Sequence, residues 1–248
     1  MQLYYIRHGQ SSNNAGESSS NFTETPDAWL TDIGKEQACI TAEYLEKNQP
    51  LIEQGDWDPH NRRGYGITHL YASLMERAAH TASFTARRLP QIPFTAWIDI
   101  HETGGIYGRE GELKDKGLPG KPRAWFEEHI PELSLPANFD GAGWWNRPTE
   151  TEEEAHQRAE RVWAELLSRH SDREGQPEHR VALVSHGTFF VHLMSVILDL
   201  PFRSASRGLR SWFLLNNCSL SRIDIHKKEH VTICYLNRTD HLPSHLIT

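Results

Sequence analysis

The 248-residue sequence predicts an α/β fold: a three-layer α/β/α sandwich with a mostly parallel central sheet and an inserted cap or loop region. Three observations predict it. Short apolar segments alternate with amphipathic ones along the chain, the pattern of repeated β-α-β units. The segment VALVS, 181–185, is apolar throughout, as in strands covered on both faces of a parallel sheet. The length suffices for one large core without disulfides, so residues 1–248 are read as a single domain.

The elements follow in order. Residues 3–6 read as the first strand, ending in the polar segment YIRHGQSSNN, 5–14. Residues 34–47 read as a helix with Ala38, Thr41, Ala42 and Leu45 on one face. THLYAS, 68–73, is the second strand, and the helix after it places Met75, Ala78, Ala79, Ala82, Ala86 and Leu89 on one stripe. Pro90 and Pro93 end that helix, and 94–98 reads as the third strand. Residues 104–150 break the alternation: GGIYGREG, GLPGKPR and GAGWWNRP are rich in Gly, Pro and Trp, with one short helix near 123–128. Long insertions in compact domains serve as lids or binding loops, so a cap over the active site is expected here. Trp144 and Trp145 either line a substrate pocket or anchor the insertion by burying aromatic surface. Residues 152–170 form a helix capped by Thr149 or Thr151, with three Glu in its first turn. After the 181–185 strand come a buried helix, 188–200, and strands or a late hairpin at 209–225 and 231–236.

Composition narrows the partners. The net charge of −7 carries no overall nucleic-acid signature. The three cysteines, 39, 218 and 234, form no C-x-x-C pair, so reduced thiols in a cytoplasmic protein are expected rather than a disulfide framework or a zinc site. Residues 1–7 are too short for a secretory signal, and no apolar stretch reaches membrane-spanning length. The sequons at Asn21, Asn217 and Asn237 are read as chance matches.

In a parallel sheet, ligands sit beyond the carboxyl ends of the strands. The first strand ends in Arg7-His8-Gly9, the second just before Arg77, the third leads to Glu102, and VALVS ends in His186-Gly187. A single His at a strand end is ordinary; four convergent exits are not. A phosphoryl group carries about −1.5 to −2 charge at neutral pH. Two Arg and a second His neutralise it, and Gly9 and Gly187 let the backbone approach. His8 can then attack phosphorus while a carboxylic acid protonates the leaving oxygen.

These landmarks resemble the histidine phosphatase (phosphoglycerate mutase-like) superfamily in its RHG-motif branch. Arg7-His8-Gly9 with Asn14, LTDIGKEQA at 30–38, SLMERAAHTA at 73–82, Glu102, VSHG at 184–187 and LNRTDHL at 236–242 are similar to its motifs and stand in its order. The resemblance implies His8 as nucleophile, with Arg7, Arg77 and His186 holding the phosphoryl group. Asn14 and Ser11 add neutral donors. Glu102 is the acid that protonates the leaving alcohol and then activates water, which requires its carboxyl to hold a proton in the first step. No metal and no cofactor is implied.

Gln10 stands where the family commonly has Glu, and Thr188 where a second Gly is frequent. Glu102 is followed by Thr103-Gly104-Gly105, where the glycolytic mutases carry a basic and aromatic run. That difference favours a metal-independent phosphatase acting on a small phosphorylated metabolite through a phosphohistidine, with a phosphomutase as the alternative. A phosphate-binding module without turnover is a third reading, opposed by the complete set of reactive residues. Several other features read as bland. GLPGKPR, 117–123, lacks the P-loop spacing. His80, His226, His230, His241 and His245 read as solvated or structural, and no close-spaced metal motif occurs among the 15 His. Arg207, Arg210 and Trp212 read as a solvated face, and Arg62, Arg63 and Arg109 as outer contacts for an anion.

Overall fold

A computed structural model of the chain describes residues 1–16, 24–49, 57–137, 139, 141–172, 177–202, 212–226 and 230–248. Asn21, Arg207 and Arg210 lie outside the described residues. The strands are β1 (Gln2–Arg7), β2 (His69–Ala72), β3 (Phe94–Ala96), β4 (Arg180–Ser185), β5 (Leu220–Ile225) and β6 (Val231–Arg238). The helices are α1 (Ser12–Gly16), α2 (Asp32–Lys47), α3 (Glu76–Arg88), α4 (Arg123–His129), α5 (Glu152–His170) and α6 (Gly187–Ile197). The strands form one sheet in the order β3-β2-β4-β1-β5-β6. The first four are parallel, and β5 and β6 add antiparallel at one edge.

The two-residue period of a strand divides the core between the faces. Tyr4 and Ile6 of β1, with Ala182 and Val184 of β4, pack against the alanine stripe of α3 and the insertion. Leu3, Tyr5, Val181 and Leu183 pack on the other face against Ala159, Val162 and Leu166 of α5 and Phe189, Phe190 and Leu193 of α6. Helices on both sides of a mainly parallel sheet make the three layers that the alternation predicts.

Local chemistry sets the helix starts. Thr31 caps α2 by accepting from Gly34 N. Thr151, not Thr149, caps α5: its hydroxyl accepts from Glu154 N while the Glu154 carboxylate accepts from Thr151 N, a reciprocal capping box. Three elements differ from the expected bounds. The third strand stops at Ala96 because Ile98–Ile100 turns into a 3-10 helix. The strand expected over 209–225 begins only at Leu220, after Cys218 turns the chain at φ 56°. Part of the segment expected to be a loop, Ser12–Gly16, winds into the short α1.

The insertion packs into the core. Ser134 bridges to Thr95 and continues the sheet past β3. Trp144 and Trp145 are 5% and 4% exposed and join a cluster with Phe126, Ile130, Leu133 and Phe139. Of the two readings open for the tryptophan pair, the structure supports the anchor. Gly105, at φ 75°, passes so close to Trp145 that a Cβ would fall 2.1 Å from its ring.

A second pair of glycines locks the first loop to α2. A Cβ on Gly9 would lie 2.5 Å from the Gly34 carbonyl oxygen, and one on Gly34 would lie 2.1 Å from that of Gln10. Ala in a helix normally stabilises relative to Gly by roughly 0.5–1 kcal/mol. Here the added methyl meets backbone, so Gly34→Ala is expected to destabilise by about 1–3 kcal/mol. Urea unfolding checks the sign, and a stabilised variant would contradict the packing.

Candidate active site

Register creates the site. Arg7 pairs with Ser185 in the β1–β4 ladder, so His8 and His186 leave adjacent strands side by side. Their ring centroids are 5.2 Å apart. Ser73 leaves β2 beside them, its N–H donating to Val184 O at 3.1 Å. The sheet edge thus gathers Arg7, His8, Ser73 and His186, and α3 adds Arg77 from its first turn.

His8 is buried, and its protonation pattern follows from its partners. Nδ1 lies 2.7 Å from the Gly9 carbonyl oxygen, which can only accept, so Nδ1 carries the proton. Nε2 therefore holds the lone pair, and it accepts from Arg77 Nε–H at 3.1 Å. Burial, then the Arg77 and Arg7 charges, holds the His8 pKa well below the ordinary histidine value. The ring is neutral at physiological pH, the form a nucleophile requires.

The loop carrying His8 is tied on every side. Gly9 N donates to Thr81 Oγ1 at 3.0 Å and Asn217 Nδ2 donates to His8 O at 2.9 Å. Gln10 N donates to Gln37 Oε1 at 2.7 Å, while Gln10 Oε1 accepts from Thr31 Oγ1 at 2.8 Å. Gln10, the departure from the common motif, therefore braces the loop against α2. Ser11 and Asn14 reach the site through the same network: Asn14 Oδ1 accepts from Ser11 Oγ at 3.1 Å and from Asn217 Nδ2 at 3.2 Å.

The close approach expected of Gly9 is toward Gly34, not toward a ligand. Gly187 is under no comparable constraint, since a Cβ there would meet Arg7 Nε at an ordinary 3.8 Å.

His186 is fully buried, with Nε2 2.9 Å from Ser73 Oγ. Its Nδ1 is buried without a hydrogen-bond partner among the described residues. Burial, followed by the charges of Arg77 and its histidine neighbours, keeps this ring neutral as well.

Arg7 Nη1 donates to Leu215 O. Burial lowers the Arg77 pKa; the Glu102 and Asp27 charges counter this, and the Arg7 and Arg109 charges add to it, which places all five groups around one point. Asp27 Oδ1 accepts from Glu76 N at 3.0 Å, and burial pushes its pKa up to about 6.

Glu102 sits against the N-terminus of α6. Oε1 accepts from Phe189 N and from Thr103 N, both at 2.9 Å, and Oε2 accepts from Thr188 N at 3.2 Å. Helix N-termini favour such a carboxylate. Both oxygens are bonded as acceptors, the arrangement suited to a base. Oε2 accepts one bond only, which leaves it a lone pair for a further partner.

The segment before it is held by Arg158 of α5, which is buried and donates to Asp99 O at 2.7 Å and to His101 O at 3.0 Å. Arg158 also makes a two-pronged pair with Glu150, both bonds 2.7 Å.

All seven residues singled out in the sequence thus fall in this region. Sequence reasoning missed Asn217, Asp27 and the Arg158–Glu150 pair. Ser73 was present as the first residue of SLMER, but its bond to His186 spans 113 residues. Asn217 is 1% exposed, which closes its sequon to glycosylation. Among the remaining features, Lys121 of GLPGKPR is paired with Glu76 at 3.0 Å. His80 packs on Trp125, and His241 bonds Thr41 at 3.0 Å. Arg62 and Arg63 line a groove with Trp57, Asp58, Pro59 and His60 that contains none of the site residues.

Residues 59–238 match a family model described as the histidine phosphatase superfamily (branch 1). The chain is 28% identical over 221 residues to a glucosyl-3-phosphoglycerate phosphatase of Mycolicibacterium vanbaalenii, covering 86% of this chain and 83% of that one. It is 27% identical over 247 residues to the probable phosphoglycerate mutase GpmB of Salmonella arizonae, covering 99% of this chain and 95% of the relative. Among solved structures, it resembles a mycobacterial glucosyl-3-phosphoglycerate phosphatase in complex with VO3, with a TM-score of 0.58 at 22% identity over 96% of this chain and 99% of that one. It also resembles a phosphoserine phosphatase mutant of Entamoeba histolytica in complex with phosphoserine, with a TM-score of 0.56 at 16% identity over 98% of this chain and 99% of that one. These two likenesses establish the fold.

The neutral histidines give the fold a pH dependence. His8, His101 and His186 have pKa values held well below 6.5 by burial, and that of His241 is held down to about 4 by the same cause. In the unfolded chain each binds a proton near pH 6.5. Below that pH the unfolded state binds more protons, so their contribution is complete above about pH 6.5 and is lost as pH falls. Asp27 and Glu152, whose pKa values burial raises, work in the opposite direction, but among the described residues nine histidines in all have lowered values. The melting temperature is expected to fall from pH 7 to pH 5; a flat profile would contradict neutral burial of these rings.

Proposed function

The chain belongs to the histidine phosphatase superfamily, branch 1, and from that premise we propose that it hydrolyses a small phosphomonoester through a phosphohistidine on His8. The observation that carries the reading is the His8 ring itself. It is neutral, its Nδ1 proton is committed to the Gly9 carbonyl, and its Nε2 lone pair faces Arg77.

The phosphoryl group binds where Arg77, Arg7 and His186 converge. Arg77 exchanges the His8 nitrogen for phosphoryl oxygens, and the buried Nδ1 of His186 gains the partner it lacks. Ser11 and Asn14 contribute neutral contacts at the rim of the loop. The Nε2 lone pair forms a bond to phosphorus as the bond from phosphorus to the leaving oxygen breaks. Glu102, protonated on substrate arrival, gives its proton to that oxygen. In the second step the Glu102 carboxylate takes a proton from water, the water oxygen bonds phosphorus, and the phosphorus–nitrogen bond breaks. Inorganic phosphate leaves with His8 neutral and Glu102 protonated for the next cycle. The cationic side chains carry the transition-state charge, so the steps as drawn use no metal ion.

Residues 1–248 act as one domain on this reading. The 104–150 insertion closes one side of the site, anchored by Trp144 and Trp145. Its Arg109 faces Arg77 electrostatically and is paired with Glu24 at 2.9 Å. Lys121 is likewise paired with Glu76. With these cations engaged by carboxylates, the site favours one phosphoryl group over the two that a bisphosphate-primed mutase must hold. The mutase reading rests on Arg109, whose Nε is buried without a partner among the described residues and is suited to a second anionic group. Incubation with 3-phosphoglycerate and its bisphosphate separates the two, since net release of phosphate marks the phosphatase. The free thiols of Cys39, Cys218 and Cys234 fit a reducing compartment such as the cytoplasm.

His8→Ala is expected to lower turnover of p-nitrophenyl phosphate at least about 1,000-fold while circular dichroism stays native. Near-normal turnover would sink the mechanism. Glu102→Gln should slow an alkyl phosphate by about 100-fold or more, yet leave the burst of p-nitrophenol release nearly unchanged. Equal losses in both would remove Glu102 from the acid role.

A further inference from the structure

Three histidines meet at the opposite edge of the sheet. His69 opens β2, His179 precedes the first residue of β4, and His170 closes α5. Seven strand positions separate His179 from His186, so at about 3.3 Å per residue this cluster lies roughly 20 Å from the active site. The β2–β4 ladder, which pairs His69 with Val181, brings the two strand starts together. The ring centroids of His69 lie 4.7 Å from those of both His170 and His179, and those two are 5.2 Å apart. One nitrogen of each ring lies within 4.8 Å of the other two.

Hydrogen bonds already hold these rings and set the tautomer of His69. Thr68 Oγ1 donates to Arg180 O at 3.2 Å and accepts from Arg180 N at 2.9 Å. Its proton is thereby committed, so toward His69 Nδ1, 2.8 Å away, it accepts. His69 therefore carries its proton on Nδ1 and a lone pair on Nε2. His170 Nε2 lies 3.1 Å from the Tyr71 hydroxyl, and its Nδ1 lies 3.0 Å from His179 Nδ1. The phenol can donate or accept; in the tautomer where it accepts from His170 Nε2–H, His170 Nδ1 presents its lone pair to the other rings. A far nitrogen held by a second partner is the usual support of a metal-ligating histidine.

We propose that His69, His170 and His179 form a binding site for one divalent first-row transition-metal ion of the zinc type, with water completing its coordination. At Zn–N distances of 2.0–2.1 Å, ligands around a tetrahedral ion stand roughly 3.3 Å apart. His170 and His179 are already at that spacing. The His69 ring, half-buried at the strand start, lies within 4.8 Å of both and closes by an inward movement of at most about 1.5 Å. Of the charges around His170, Arg169 and the N-terminal amine of Met1 are cationic, and the amine is paired with Asp172 at 2.6 Å and with Glu178 at 3.8 Å. The ion would join the starts of β2 and β4 to the end of α5, a cross-link in the fold remote from phosphoryl transfer. It departs from the sequence expectation of no metal because three residues scattered over more than a hundred positions leave no motif.

The test is titration of chelator-treated full-length protein with Zn2+ alone, read by calorimetry and by thermal melting. One equivalent is expected to bind and to raise the melting temperature. His69→Gln and His179→Gln, both at half-buried positions, should each weaken binding by about tenfold or more. Tyr71→Phe, which keeps all three ligands, should weaken it by about 10-fold to 100-fold. Phosphatase turnover of the metal-free variants should match that of the metal-free parent. Absence of stoichiometric binding, or binding that none of the three substitutions weakens, would overturn the site.

Discussion

The 2.7 Å contact between His8 Nδ1 and the Gly9 carbonyl is the constraint on which the rest of the site depends. It decides which nitrogen carries the proton and which keeps its lone pair toward Arg77, because a carbonyl oxygen only accepts. Gly9 can offer its carbonyl at that angle because its own position is over-determined. Its N–H is bonded to Thr81, its Cα faces the backbone of Gly34, and the His8 carbonyl before it is held by Asn217. Burial then supplies the neutrality that the tautomer needs to be useful. A solvated histidine in the same place would be half protonated near pH 6.5 and would sample both tautomers.

The other half of the site is built from the far side of the sheet. Glu102 has no strand to hold it, since β3 ends six residues earlier. Arg158 compensates by bonding two carbonyls of the 99–101 segment while its charge is balanced by Glu150 inside the core. Breaking such a buried pair leaves an uncompensated charge, typically at a cost of about 3–5 kcal/mol, so the placement of Glu102 is rigid. Donors from the first turn of α6 complete it, and α6 itself is fixed by the core behind Phe189 and Phe190. Glu102 and His8, the proposed acid and nucleophile, thus hang from opposite layers of the sandwich and meet at one edge.

What the sequence made legible was local or periodic. The alternation along β1 and β4 and the alanine stripe of α3 carried the architecture; the residue types at four strand exits singled out Arg7, His8, Arg77, Glu102 and His186, and the family resemblance added Ser11 and Asn14. What it left out depends on which distant segments become neighbours. Asn217 is an ordinary polar residue until Cys218 turns the chain and brings its amide under His8. Arg158 reads as a charged position on an amphipathic helix, yet it is the most deeply buried cation beside the site. The tryptophan pair was undecidable because lining a pocket and anchoring a loop use the same residues. Their burial in the core cluster and the contact with Gly105 separate them. The histidine trio had the same obstacle in stronger form.

The central claim is that the protein fixes His8 with Nε2 as its nucleophile. The direct measurement is the position of phosphorus in the phosphoenzyme, trapped by rapid mixing with an aryl phosphate, quenched in alkali and examined by peptide mass spectrometry and phosphorus NMR. The account predicts one phosphohistidine, at His8, as the Nε2 isomer. An Nδ1 isomer, or phosphate on any other residue, would contradict it.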